Sequence, residues 1–307
     1  MGAIGLRNSC ILVTGGTGSV GSALVDVLGR FGPGEIRVLA RRTQTATQSP
    51  APVRFLAGDI SDPDAIAQAI DGCDVVFHLA ALKDGAVCEA DPDRALRTNV
   101  LGSANVLLAA RREERVRRLI AISSDKASAP TSVLGMTKAL MERLVTQVAA
   151  ATGRSFGSVR LGNVLGASDS VLMRWHASAR SGWIEVTDPK MTRFALTREE
   201  AVSHIVALCS RSLEGEVVVP LMRAYQLGEL ATAFAEEHRV AVRITGARPW
   251  EKAHATLLSE DEALIARRDG DLVVIDPRKP GGGLGVITSA RADRLSEKEL
   301  ANFVRMA

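Results

Sequence analysis

The sequence predicts an α/β fold in which a doubly wound parallel sheet carries a small C-terminal substrate-binding lobe. Two observations predict it. Short apolar runs alternate with helix-periodic stretches up to residue 162, the pattern of βαβ units and a parallel sheet. The first apolar run, Cys10–Thr14, leads directly into a glycine turn and a helix, the order a dinucleotide-binding loop requires.

Composition sets the outer bounds. The 307 residues are 46% hydrophobic and 24% charged, ordinary for a globular chain large enough for a real core. A net charge of +3 is too small to argue for nucleic acid. The basic cluster Arg111–Arg118 is interleaved with Glu113 and Glu114 and reads as the solvated end of a helix. Cys10, Cys73, Cys88 and Cys209 show no paired spacing, which suggests reduced thiols in a cytoplasm and no zinc site. The five histidines form no ligand pattern, so no metal is expected. No basic-then-apolar leader and no apolar run of about 18 residues is seen, so neither secretion nor a membrane span is expected.

Taken in order, Gly15, Gly18 and Gly21 follow the first strand with the spacing G-x-x-G-x-x-G. The early glycines permit a tight turn and close approach to a pyrophosphate. The last lets the helix pack near the strand, with its N-terminus toward the phosphates. This is a Rossmann-like site, with Gly15, Thr17, Gly18, Ser19 and Val20 as cofactor contacts. The second strand, Ile36–Ala40, ends in Arg41 and Arg42. Arginine here suits a 2′-phosphate, so NADP is expected over NAD; the alternative is a pair of loop arginines. Val53–Leu56 is the third strand, and Asp59 and Ile60 follow it. Asp59 either meets the adenine edge or caps the helix that starts near Pro63. Asp74–Leu79 leads to Ala80, Ala81 and Lys83; the small alanines at the strand end let a flat ring approach. Asp93–Ala110 is a long helix containing Asn99; mid-helix asparagine is unfavourable, so Asn99 has a hydrogen-bonding job beside the cofactor.

Leu119–Ile122 is an apolar strand that ends in Ser124-Asp125-Lys126, and the next helix carries Lys138. An acid, a base candidate and a hydroxyl thus stand at the carboxyl end of a buried strand, where open α/β sheets bind ligands. Val159–Leu161 is a further strand. From about Asn163 to Leu196 the pattern turns irregular. Thr197–Cys209 reads as helix, Glu216–Val219 as strand and Leu227–Glu237 as helix. The resulting division is a cofactor domain over 1–162, with 197–222 returning to the sheet, and a lobe formed by 163–196 and 223–307. The apolar faces of 93–110 and 134–151 suit either core packing or a homo-oligomer.

Thr14-Gly-Gly-Thr-Gly-Ser19 resembles the nucleotide loop of extended short-chain dehydrogenases. A narrower resemblance runs from residue 10 to 300. It is carried by Ala80-Ala-Leu-Lys83, Cys88-Glu89, Thr98-Asn-Val100, Ser124-Asp-Lys-Ala127, Arg160-Leu-Gly-Asn-Val-Leu-Gly166, Met191-Thr-Arg-Phe194, Arg248-Pro-Trp-Glu-Lys252 and Leu258-Ser-Glu-Asp-Glu262. These are similar to the UDP-N-acetylglucosamine 4,6-dehydratases of capsule and flagellin-sugar pathways. The resemblance implies a self-recycling reaction on a nucleotide-sugar. The sugar C4 is oxidised, the C5 proton leaves, water is lost at C6 and the hydride returns there, often with C5 inverted. It implies Asp125 as the acid at O6, Lys126 as the base at C5, Ser124 near O4 and Lys138 on the nicotinamide ribose. Lys83, Asn163, Val164, Arg193, Arg248 and Glu251 would meet the sugar, diphosphate or nucleotide ribose.

The chain departs from that pattern at four places. Tyr-x-x-x-Lys becomes Leu134…Lys138, and the only tyrosine, Tyr225, lies in the second half, where no neighbour substitutes. Asp84-Gly85-Ala86, Ala167-Ser168-Asp169-Ser170 and Trp250 replace the usual residues around the sugar. The sugar therefore stays open. Two other readings remain beside the dehydratase: a nucleotide-sugar epimerase, in which Lys126 moves a proton without loss of water, and a non-catalytic NADP-binding protein of the same fold.

Overall fold

A computed structural model describes residues 5–42, 47–167, 170–279 and 281–306. Strand β1 (Cys10–Thr14), helix α1 (Ser19–Gly29), strands β2 (Glu35–Ala40) and β3 (Val53–Ala57), helix α2 (Pro63–Ile70) and strand β4 (Val75–His78) form the first half. Helices α3 (Gly85–Ala90), α4 (Pro92–Ala95) and α5 (Gly102–Arg112) lead to β5 (Arg118–Ser124), α6 (Val133–Thr152) and β6 (Ser155–Leu161). Each central strand is apolar and covered on both faces, which is why these runs are continuous rather than alternating.

The sheet was expected to end near residue 222, and it extends further. After β7 (Asn163–Val164), α7 (Val171–Ala179), β8 (Trp183–Val186), β9 (Thr192–Leu196) and α8 (Arg198–Ala207), strand β10 (Glu214–Pro220) joins β6 in parallel. The chain then runs through β11 (Ala224–Gln226), α9 (Leu227–His238), β12 (Ala241–Ile244), β13 (Thr256–Leu258) and α10 (Glu260–Ala263). The hairpin β14 (Ala266–Asp269) and β15 (Leu272–Ile275) adds antiparallel to β10. The nine strands lie in the order β3-β2-β1-β4-β5-β6-β10-β15-β14. The lobe expected over 223–307 therefore includes a hairpin that belongs to the main sheet. Strand β16 (Ile287–Thr288) and helix α11 (Glu297–Met306) complete the lobe, with α11 packed on α9.

The stretch read as irregular, 163–196, holds one helix and three strands. Their partners lie far off in sequence: β9 pairs with β7 and β11, and β8 pairs with β12. Leu172, Trp175, Tyr225, Phe234 and Leu300 form the lobe's own core. Two larger clusters flank the main sheet.

Two local expectations are corrected. Asp62, not Asp59, caps α2, accepting from the Asp64 N–H at 2.9 Å, while Asp59 accepts from Ser61. The scattered cysteines are free, yet parallel neighbours bring Cys10 Sγ and Cys73 Sγ to 3.4 Å. On α5 and α6 the apolar faces divide: Val106 and Met141 are buried, and Leu108 and Met136 are exposed. No described helix is long and apolar enough to cross a membrane.

Candidate active site

The carboxyl ends of β1 and β4 diverge at the point where the sheet order reverses, and a cleft of about 570 Å³ opens there. Nine basic side chains line it against four acidic ones, so the cleft favours an anionic ligand. Gly15 turns at φ +73°, and a Cβ on it would sit 2.7 Å from the Ala80 nitrogen. A Cβ on Gly21 would strike the Gly15 carbonyl, so α1 packs on the turn only because that atom is missing. No side chain caps α1, which leaves its first-turn N–H groups to a ligand. This cradle fits a dinucleotide. Thr17, Gly18, Ser19, Val20, Arg41, Asp59, Ile60, Ala80, Ala81 and Lys83 all line the cleft as expected for cofactor contacts. Arg42 does not; it is exposed beyond the strand end.

Asn99 does not line it either. The long helix expected over 93–110 is interrupted by a π turn, Leu96–Leu101, and Asn99 sits inside it, 1% exposed. Its Oδ1 accepts from the Leu82 N–H at 2.7 Å, and its Nδ2 donates to the Leu82 carbonyl at 2.9 Å. The extra residue of a π turn thus aims an amide at the loop that follows β4. The turn is itself tethered. Ser103 Oγ donates to the Asn99 carbonyl, so it can only accept from His78 Nε2, at 2.8 Å. That places the His78 proton on Nε2 and makes Nδ1 the acceptor for Thr14 Oγ1, at 2.8 Å. Burial, with the Lys138 charge adding, pushes His78 down to about 3, so it stays neutral. The path from β1 through His78 to Leu82 fixes both walls of the cofactor cleft, and the sequence pointed only to Asn99.

The Ser124-Asp125-Lys126 turn follows β5. Ser124 Oγ donates to Asp125 Oδ1 at 2.8 Å, and Lys126 Nζ donates to the same oxygen at 3.1 Å. Asp125 is 2% exposed, whereas the Lys126 side chain is 42% exposed to the cleft. Asn163 Oδ1 accepts from Lys126 Nζ at 3.2 Å, and Asn163 Nδ2 reaches the Tyr225 hydroxyl at 3.5 Å. Tyr225, set aside in the sequence as remote from this turn, is therefore part of the site. Leu134, four residues before Lys138, is 4% exposed and packs with Cys88 and Ala95.

Lys138 Nζ donates to the Ile122 carbonyl at 2.8 Å. Burial lowers its pKa to about 8; Glu142 opposes the shift and Lys83 adds to it. The ammonium therefore predominates below about pH 8 and the neutral amine above it. Affinity of the free protein for an anionic dinucleotide is expected to fall as pH rises through about 8. Cofactor titrations across pH check this; the same fall in Lys138→Met would assign the step to another group.

Arg193, Arg248, Glu251, Asn163 and Val164 also line the cleft. Arg193 is braced by the Thr192 and Ala253 carbonyls, at 2.9 and 3.2 Å. Glu251 accepts from the Arg248 N–H at 3.4 Å, within its own turn. Lys252, the end of the Arg248–Lys252 motif, lines the cleft as well, and so do Arg94 and Arg174, which went unnoticed in the sequence. Ser168 and Asp169 lie outside the described residues.

Behind the turn, Arg160 is 1% exposed. It donates to Glu142 Oε2 and Glu262 Oε1, both at 2.7 Å, and to the Leu257 carbonyl at 2.8 Å. Ser128 Oγ donates to Glu262 Oε2 at 2.6 Å. Lys252 Nζ meets the Ser128 carbonyl at 2.5 Å, and Thr131 Oγ1 meets the Trp250 carbonyl at 3.0 Å.

A doubly wound sheet with this glycine turn and a buried lysine one helix beyond a Ser-Asp-Lys turn defines an extended short-chain dehydrogenase/reductase. The chain belongs to the family described as polysaccharide biosynthesis protein, which matches residues 11–277. It is 31% identical over 278 residues to a UDP-N-acetylglucosamine 4,6-dehydratase (inverting) of Campylobacter jejuni, covering 87% of this chain and 82% of that one. It is 33% identical over 282 residues to a UDP-glucose 4-epimerase of Rickettsia canadensis, covering 85% and 81%. Among solved structures, Pen from Bacillus thuringiensis superposes with a TM-score of 0.89 at 29% identity, covering 98% of this chain and 99% of that one.

Proposed function

We propose that the protein is an NADP-dependent nucleotide-sugar 4,6-dehydratase acting on UDP-N-acetylglucosamine or a related UDP-sugar. The observation that carries this reading is the Asp125–Lys126 pair, held in one hydrogen bond at the cleft floor. Transfer of one proton from Nζ to Oδ1 along that bond leaves a carboxylic acid beside a neutral amine. Those are the two groups a 4,6-elimination needs: the amine takes the C5 proton, acidified by a ketone at C4, and the acid protonates the departing C6 hydroxyl. Ser124 shares Oδ1 and steadies the carboxyl. Bound NADP supplies the hydride acceptor for C4 and the donor for C6. Lys138 and the Gly15 turn hold it, and Arg193, Arg248 and Glu251 hold the nucleotide diphosphate end.

Arg41 is the residue that favours NADP over NAD in this reading, since its guanidinium suits a 2′-phosphate. In Arg41→Asp, NADP affinity is expected to fall roughly 10–100-fold more than NAD affinity, the size of one charge-assisted hydrogen bond. Equal losses for both cofactors would remove Arg41 as the discriminator.

Epimerisation is the second reading. Relatives of both kinds stand at similar identity, and Leu134 offers no titratable proton at the dehydrogenase position. Mass spectrometry of UDP-N-acetylglucosamine incubated with catalytic NADP in deuterated water separates the two. Loss of one water with deuterium at C5 supports dehydration. Epimerisation loses no water: at C5 it exchanges one hydrogen for deuterium, and at C4, where a hydride leaves and returns, it gives an epimer of unchanged mass that chromatography resolves. Neither a mass change nor a new epimer, with NADP bound, means that UDP-N-acetylglucosamine is not turned over; a panel of other UDP-sugars then separates an altered substrate from a non-catalytic protein.

A further inference from the structure

The chain has a single tyrosine, Tyr225, and the fold carries it into the site from the lobe. It sits on β11 directly across from Arg193 of β9. Its ring belongs to the lobe core with Trp175 and Phe234, and the residue is 1% exposed. Its oxygen is the acceptor for Asn163 Nδ2, at the outer limit of a hydrogen bond. Among the described residues, no other hydrogen bond of this hydroxyl is recorded.

An asparagine amide has two orientations, and only one presents oxygen to an ammonium. Here Asn163 Oδ1 faces Lys126 Nζ at 3.2 Å and Nδ2 faces the Tyr225 oxygen at 3.5 Å. Turned over, the amide would set its NH₂ against Lys126 Nζ. Lys126 Nζ thus has two anchors, the Asp125 carboxylate and an amide whose other end meets Tyr225.

We propose that Tyr225 is a positioning residue for the proposed reaction: through Asn163 it aligns Lys126 with the sugar carbon it deprotonates. The proposal rests on the nucleotide-sugar reading above. Tyr225 acts on the Asn163 amide as an acceptor and does not serve as a base. Burial lifts its phenol above the ordinary range; the Asn163 contact and Arg193 oppose that, and Asp125 adds to it.

Tyr225→Phe tests this, because it keeps the ring in the lobe core and removes only the hydroxyl. The expected result is a kcat for deuterium uptake at C5 reduced roughly 10–100-fold, with KM, NADP affinity and Tm close to wild type. Tyr225→Phe combined with Asn163→Ala is expected to be no slower than Asn163→Ala alone, since both act on Lys126 along one path. Unchanged kcat, or losses that multiply, would overturn the proposal. A second readout needs no turnover. Lys126 is partly exposed, so an amine-labelling reagent reads its reactivity against exposed Lys298. A shift of about twofold or more in Tyr225→Phe supports the alignment; identical labelling rejects it. If the wild type processes no UDP-sugar, the functional reading has failed, and the labelling comparison still decides the part played by Tyr225.

Discussion

In Lys126→Ala, water loss from the sugar is expected to slow roughly 10²–10⁴-fold, while NADP binding stays as in wild type. The reason is local. Lys126 Nζ lies 3.1 Å from Asp125 Oδ1 and is the exposed partner of a buried carboxylate. No other amine makes a hydrogen bond to Asp125 among the described residues, so truncation leaves the C5 proton without an acceptor. In the proposed reaction, oxidation at C4 sends its hydride to NADP and its hydroxyl proton to Lys138 or water, so it proceeds without that amine. A transient rise in nicotinamide absorbance on mixing is therefore expected to persist without decay. Full activity in Lys126→Ala would remove it as the base, and loss of the absorbance transient as well would move its role to the hydride step.

Arg160→Leu is expected to cost about 3–5 kcal/mol of stability, because it strips the partner from two buried carboxylates. Glu142 and Glu262 keep 6% and 15% of their side chains exposed, too little for water to replace a guanidinium. For a chain of this size the loss corresponds to a fall in Tm of roughly 10 °C. Adding Glu142→Gln and Glu262→Gln should recover part of it by removing the stranded charge. A change of under about 1 kcal/mol in Arg160→Leu would mean that the triad carries little net stability. The same contact sets an acid limit. Burial would raise the Glu262 carboxyl, yet the Arg160 fork and the Ser128 hydroxyl hold it down at about 2. A depressed carboxyl stabilises the fold above its ordinary pKa, and that contribution is lost as pH falls toward 2. In Arg160→Leu the sign should reverse: protonating the stranded carboxylate relieves its burial, so stability recovers as pH falls.

The cofactor half was legible because its signals are local. A buried strand, a glycine turn and a helix are consecutive in Cys10–Gly29, and Ser124-Asp125-Lys126 ends its own strand. What escaped was assembled across long separations. Tyr225 reaches Asn163 only because β11 pairs with β9, which pairs with β7. Two- to five-residue strands carry no period that a sequence pattern can register. The hairpin β14–β15 is short and follows the lobe, so nothing in its sequence assigned it to the main sheet. Asn99 was conspicuous as a mid-helix asparagine, but a π turn has no compositional mark. Cys10 and Cys73 lie 63 residues apart, and only the pairing of β1 with β4 makes them neighbours.

The span Ser128–Thr131 is held by Glu262, Lys252 and Trp250, and these belong to the segment that also carries Arg248 and Glu251. That segment ties the wall of the cleft that carries Arg248 and Glu251 to the backbone that follows Asp125 and Lys126. For the proposed nucleotide-sugar substrate the expected consequence is that grip at the nucleotide end, remote from every bond that changes, raises kcat as well as affinity.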